Sequence, residues 1–261
     1  MPMTDARLIA FERLLGIMDE LREKCPWDKK QTMESLRHLS IEEVYELSEA
    51  ILQKDSQEIK KELGDVLLHI VFYARIASET GEFTLTEVIN SLCEKLIIRH
   101  PHIYGDVVVK DEEDVKRNWE QIKMKEAGGN KRLLAGVPAS LASLVKAYRM
   151  QEKAAQVGFD WPDKQQVWKK VEEELLEFET AKTEKDREEE FGDLLFALVN
   201  YARFEGINPD DALEKTNIKF KQRFEYIESK AEAAGLEMKK MTLEEMDIWW
   251  NEAKTLENKQ A

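Results

Sequence analysis

ELGDVLLHIVFYAR at 62–75 and EFGDLLFALVNYAR at 190–203 are two versions of one segment. In the first, Leu63, Val66, Leu67, Ile70, Val71 and Ala74 recur at the three- and four-residue spacing of an apolar helix stripe. Each copy begins with two carboxylates three residues apart, Glu62 and Asp65, then Glu190 and Asp193. Side chains so spaced project to nearly one side of a helix. A second acidic pair precedes each copy, Glu43 with Glu46 and Glu174 with Glu177. One four-carboxylate pattern therefore occurs twice.

The repetition extends outward from these segments. Lys95 and Arg99 return as Lys219 and Arg223, and Trp119 with Lys123 as Trp250 with Lys254. Trp27-Asp28 is echoed in reversed order by Asp160-Trp161. Glu46 to Glu62 is three residues longer than Glu177 to Glu190, a difference that the loop between the two helices can absorb. Helices are expected over about 34–53, 56–79, 84–99 and 112–126, then about 139–156, 163–182, 186–205, 209–234 and 242–257. His100-Pro101 ends the third, because proline restricts its predecessor and cannot continue the backbone bonding. Gly128-Gly129-Asn130 and Gly136-Val137-Pro138 interrupt the pattern between the halves. The expected architecture is all-α, with tandem helical-bundle domains at 1–127 and 137–261.

A chain of 261 residues can bury two ordinary cores. Its 39 basic and 53 acidic residues leave a formal charge of −14, which argues against a nucleic-acid polymer as partner. Cys25 and Cys93 are too few for a disulfide framework and suit a reducing, cytoplasmic setting. The start lacks the basic leader and apolar run of an export signal. No apolar run approaches the roughly 20 residues of a membrane span. A soluble cytoplasmic protein without a membrane partner is expected.

Clustered carboxylates repel and lose water, so the arrangement calls for a cation. Glu172 and Glu173 leave the second register open on acidity alone, but only Glu174 and Glu177 reproduce the spacing of Glu43 and Glu46. Oxygen ligands without histidine favour magnesium or manganese. The E-x-x-H pairs of di-iron bundles are missing, and His38, His69, His100 and His102 all lie in the first half. Gly64 and Gly192 sit inside helical patterns, where glycine costs about 1 kcal/mol relative to alanine. Close helix approach is one explanation and a tolerated glycine the other. Lys219, Arg223 and Lys254 offer a forked donor and point charges for phosphate oxygens, and Trp250 a plane for a base. Lys95, Arg99, Lys123 and Trp119 repeat that set.

CPWDKKQT at 25–32, EEVYE at 42–46, KELGD at 61–65, RHPHIY at 99–104, VGFDW at 157–161, EEFGD at 189–193 and NIKFKQRF at 217–224 resemble the MazG family of nucleoside triphosphate pyrophosphohydrolases. The resemblance runs over nearly the whole chain. It implies the all-alpha NTP pyrophosphatase fold, a homodimer, and magnesium-dependent hydrolysis of NTPs and dNTPs to monophosphate and pyrophosphate. On the matching positions, Glu174, Glu177, Glu190 and Asp193 would hold the metal and carry catalysis, with Glu174 or Glu177 taking the water proton. Lys170, Lys219, Arg223, Trp250 and Lys254 would contact the nucleotide. Asn200 stands where the first copy has Phe72, and Lys170 where it has Leu39, so the main activity is expected in the C-terminal domain. Glu43, Glu46, Glu62, Asp65, Lys95, Arg99, Trp119 and Lys123 form a second candidate site that binds weakly, takes another nucleotide or supports the dimer. A narrower dUTP or dCTP pyrophosphatase and a non-catalytic nucleotide-binding scaffold are the competing readings.

Overall fold

The computed structural model describes residues 5–112, 114, 115, 118, 119, 122 and 132–260, and among these every regular element is helical. The chain divides into two compact units, Met1–Glu126 and Ala127–Ala261. The first holds α1 (Ala6–Lys24), α2 (Met33–Gln53), α3 (Ser56–Thr80), α4 (Leu85–Arg99) and the single turn α5 (Pro101–Tyr104). The second holds α6 (Ser143–Gln156), α7 (Lys164–Thr180), α8 (Glu184–Phe204), α9 (Pro209–Ala234) and α10 (Leu243–Gln260). The main packed pairs are α2 with α3 and α7 with α8, so each unit lays its two acidic helices side by side. No described helix is long and apolar enough to cross a membrane.

Short polar residues set the helix starts by accepting backbone N–H groups that have no partner within the helix. Thr32 and Ser35 cap α2 reciprocally, as Thr84 and Glu87 cap α4. Asp55, Asp163, Thr183 and Asn208 cap α3, α7, α8 and α9. Gly81 and Gly235 close α3 and α9 at φ 71° and 65°, a left-handed backbone that glycine adopts without a Cβ clash. His100-Pro101 ends α4 as expected, but Pro101 also starts α5, since proline suits the first helical position.

The extra residues between Glu46 and Glu62 are not in the loop. Two residues join α2 to α3 and three join α7 to α8, while α2 continues to Gln53 and α7 stops at Thr180. The first copy therefore has about one more turn of helix after its acidic pair, and Lys54 at φ 58° turns the chain directly into Asp55.

Met18, Leu36, Val71 and Phe72 are the buried centre of the first unit, packed by Leu14, Leu39, Leu68 and Ile76. Val167, Val171, Ala197, Val199, Ile227 and Ala231 are the buried apolar positions of α7, α8 and α9. Gly64 and Gly192 do not mark a close helix approach: a Cβ at either meets nothing within 4 Å.

Candidate functional site

Carboxylate oxygens of Glu174, Glu177 and Glu190 all lie within 4.8 Å of one another, as do those of Glu43, Glu62 and Asp65. Each group therefore joins two packed helices through the E-x-x-E and E-x-G-D positions. Asp193 and Glu46 stand outside these tightest groups. Both still act electrostatically on their clusters, Asp193 on Glu190 and Glu46 on Glu43.

The electrostatics are those of an acidic site without enough counter-charge. Loss of surrounding water, and then Glu177, Glu174 and Asp193, push the Glu190 carboxyl above its ordinary range. Glu43 is raised the same way, by burial first and then by Asp65, Glu46 and Glu62. Glu62 is 2% exposed and its Oε2 is enclosed with no hydrogen-bond partner; Glu174 is 6% exposed. A lysine sits on each of these buried glutamates: Lys61 Nζ is 2.7 Å from Glu62, and Lys170 Nζ is 2.7 Å from both Glu173 and Glu174. Those hydrogen bonds hold both ammonium groups above their usual range. Each cluster can chelate a divalent cation, which would relieve the repulsion.

A histidine borders the first cluster. His69 Nε2 lies 3.9 Å from Glu43 Oε1, and burial lowers the ring's proton affinity. Its Nδ1 is 3.0 Å from Ser40 Oγ, which is 2.6 Å from the Tyr73 hydroxyl and itself donates to the Leu36 carbonyl. Ala197 stands at the matching place in the second copy.

Lys219, Arg223, Trp250 and Lys254 come from α9 and α10, which pack together. Arg223 lies over the Trp250 ring, 5.3 Å from its centroid, and donates to both oxygens of Glu257 at 2.6–3.2 Å. Glu257 is thereby held below its ordinary range. It follows Trp250 by seven residues and Lys254 by three, a helical spacing that would have marked it in the sequence. Lys219 and Lys254 are exposed. In the first unit Arg99 lies 5.3 Å from the Trp119 ring centroid and Lys95 is exposed, while Lys123 lies outside the described residues. Asn200, two turns beyond Asp193, accepts from Arg203 Nε and Nη2 at 3.1 and 2.9 Å. Arg203 also donates to Asp160.

Asn200 borders a cavity of about 510 Å³ formed with Met150, Gln151, Phe159, Trp161 and Phe196. The sequence does not mark this cavity, because α6 and the 158–161 turn supply most of its wall.

Two bundles, each bringing carboxylates together from adjacent helices, define a helical protein with two acidic clusters able to chelate a divalent cation. A family model described as the MazG nucleotide pyrophosphohydrolase domain matches residues 31–104, wholly within the first unit. The nucleoside triphosphate pyrophosphohydrolase/pyrophosphatase MazG of Thermotoga maritima is 47% identical over 249 residues, 94% of this chain and 96% of that protein. The nucleoside triphosphate pyrophosphohydrolase of Escherichia coli is 39% identical over 257 residues, 95% of this chain and 98% of its own. The crystal structure of a mazG-related protein from Thermotoga maritima aligns at 28% identity and a TM-score of 0.39, over 43% of this chain and 97% of that one. With likeness of this degree to the two full-length relatives, the chain belongs to the MazG family of nucleoside triphosphate pyrophosphohydrolases.

Proposed function

We propose that the second unit hydrolyses nucleoside triphosphates between the α- and β-phosphates, releasing monophosphate and pyrophosphate, with magnesium or manganese as the resident ion. The observation that carries this reading is the convergence of Glu174, Glu177 and Glu190 within 4.8 Å, with Lys170 already on the buried member. Family membership supports the reaction class, and the −14 charge supports a small phosphorylated substrate, bound through a cation, over a nucleic-acid polymer. The proposed working domain is 137–261, and the range of substrates is broad over ribo- and deoxyribonucleotides.

Glu174, Glu177, Glu190 and Asp193 would hold the ion. Such an ion would supply charge neutralisation for the triphosphate and would lower the pKa of an attacking water. Glu174 or Glu177 would take the water proton. Lys219 and Lys254 are exposed charges for phosphate oxygens. Arg223 would exchange its fork on Glu257 for one on phosphate. The first unit retains its carboxylates but has Leu39 and Phe72 where the second has Lys170 and Asn200.

A homodimer is part of the proposal. Leu213, Phe220 and Phe224 form an exposed stripe on one side of α9, and Leu92 and Leu96 are exposed on α4. Pyrophosphate release from a panel of NTPs and dNTPs, with and without magnesium, tests the activity. Nucleotide binding without turnover in the presence of the ion would replace the enzyme with a scaffold.

A further inference from the structure

We infer that Glu257 is a built-in competitor for the donor fork of Arg223: its carboxylate holds the fork between turnovers, yields it to an incoming triphosphate and returns to it as pyrophosphate leaves. This rests on the pyrophosphohydrolase reading and adds to it a residue that sets how tightly substrate and product are held.

Arg223 donates through Nε and Nη2 to both oxygens of Glu257 at 2.6–3.2 Å. That edge of the guanidinium, with two N–H groups side by side, fits a carboxylate or a phosphate alike. Its flat face has another task. It lies 5.3 Å from the Trp250 ring centroid, and Phe220 backs Trp250 at 5.2 Å. Stacking therefore fixes the plane of the fork whichever anion occupies its edge. Lys219 stands one turn before Arg223 on α9, and Lys254 three residues before Glu257 on α10. Arg223 first, and Lys219 with it, hold the Glu257 carboxyl below its ordinary range. An internal anion thus occupies the place where cations gather for phosphate oxygens.

The contact is replaceable. Among the described residues Arg223 and Glu257 hydrogen-bond only to each other, and their side chains are 17% and 31% exposed. Arg22 in the first unit shows the contrast. It is 10% exposed and donates to the Asp28 and Gln31 carbonyls as well as to Glu79, so it ties a loop to two helices. Arg223 gives up no backbone contact when Glu257 withdraws, and the displaced carboxylate already borders water.

The carboxylate belongs to the duplicated set. Trp119, Lys123 and Glu126 repeat the spacing of Trp250, Lys254 and Glu257, and Arg99 lies as far from the Trp119 ring as Arg223 does from Trp250. Glu126 lies outside the described residues.

Every anion that takes the fork must first displace Glu257, which weakens substrate and product together. An anion carried on the same bundle returns without diffusing from solution. Once the bond between the α- and β-phosphates is cut, pyrophosphate has lost its link to the nucleoside and meets this competitor alone. Product release limits turnover in many enzymes, so a residue that hastens it bears on kcat.

The test uses the full chain, with ATP turnover in magnesium and calorimetric titration of inorganic pyrophosphate in the same buffer. Glu257→Gln keeps the size of the side chain and removes its charge. KM for ATP and the dissociation constant of pyrophosphate are both expected to fall about tenfold, with kcat equal or lower. Glu257→Ala should act the same way. Acetate, against chloride at equal ionic strength, should raise its pyrophosphate constant towards the wild-type value and leave the wild type unmoved. A carboxylate that only held α10 to α9 would weaken binding when removed. Constants that rise or stay unchanged in the glutamine variant, an alanine variant indifferent to acetate, or variants that no longer melt cooperatively overturn the competitor. A wild type that releases no pyrophosphate from any NTP sinks the activity instead, an outcome distinct from active but insensitive variants.

Discussion

Replacing Glu43 by glutamine should make the metal-free protein more stable. Its carboxylate lies within 4.8 Å of Glu62 and Asp65, where two unit charges repel by about 0.9 kcal/mol in water and about 3.5 kcal/mol at an effective dielectric near 20. Lys61 already offsets Glu62, and Glu43 retains some contact with water, so the relief expected is about 1–2 kcal/mol. For a unit of this size that is a rise of about 3–8 °C in the melting midpoint. The sign depends on pH. The folded-state proton affinity of Glu43 is raised, so its charge lowers stability progressively as pH rises from the ordinary carboxylate range through the raised value. The gain from glutamine is therefore full at neutral pH and vanishes in acid, where Glu43 is protonated in both states. Scanning calorimetry of both proteins in chelator, at neutral and acidic pH, measures it. Added magnesium should then lift the wild type more than the variant, since mass action rewards only the intact cluster. A lower midpoint for the variant in neutral chelator, or an equal gain in acid, would refute the charge-repulsion account.

Glu177→Ala should abolish most pyrophosphate release and Glu46→Ala should leave the bulk of it; equal losses would remove the assignment of catalysis to the second unit. Glu79→Gln breaks the paired hydrogen bonds from Arg22 at 2.8 and 2.9 Å and should cost about 1–3 kcal/mol by denaturant unfolding. Because Glu79 is held below its ordinary range, that difference is full above the unfolded-state value and should shrink as pH falls through the folded one. Met18→Ala, at the centre of the first core, should cost about 2–5 kcal/mol, and a melt unchanged from wild type would contradict the packing described. Phe224→Glu, on the exposed stripe of α9, should shift sedimentation from dimer to monomer.

The acidic clusters were legible because duplication supplied a second reading of the same spacing. Glu172 and Glu173 would otherwise compete with Glu174, and only Glu43 and Glu46 decide between them. Helix type was equally plain from the stripe through Leu63, Leu67 and Ile70. Contacts between distant segments were not. Nothing local marks Gln151 as a partner of the Phe196 carbonyl 45 residues away, or Arg22 as the clamp on Glu79. The length difference between the copies was visible, but its place was not, since an added turn of helix and a longer loop have the same count. His69 was counted among the histidines of the first half. Its approach to Glu43 depends on how α2 packs on α3, which periodicity alone does not reveal.

Lys170 makes cation loading an exchange. Its ammonium group is shared between Glu174, in the interior, and Glu173, at the surface. A cation bound there would compete with the lysine for Glu174, while Glu173 would keep the ammonium group beside the cluster. Its charge would then stay at the rim of the cluster, next to where a triphosphate would be drawn in. Affinities for a divalent cation alone would then report a difference between two cations' claims on one glutamate, and removing the lysine should tighten the metal while weakening the nucleotide.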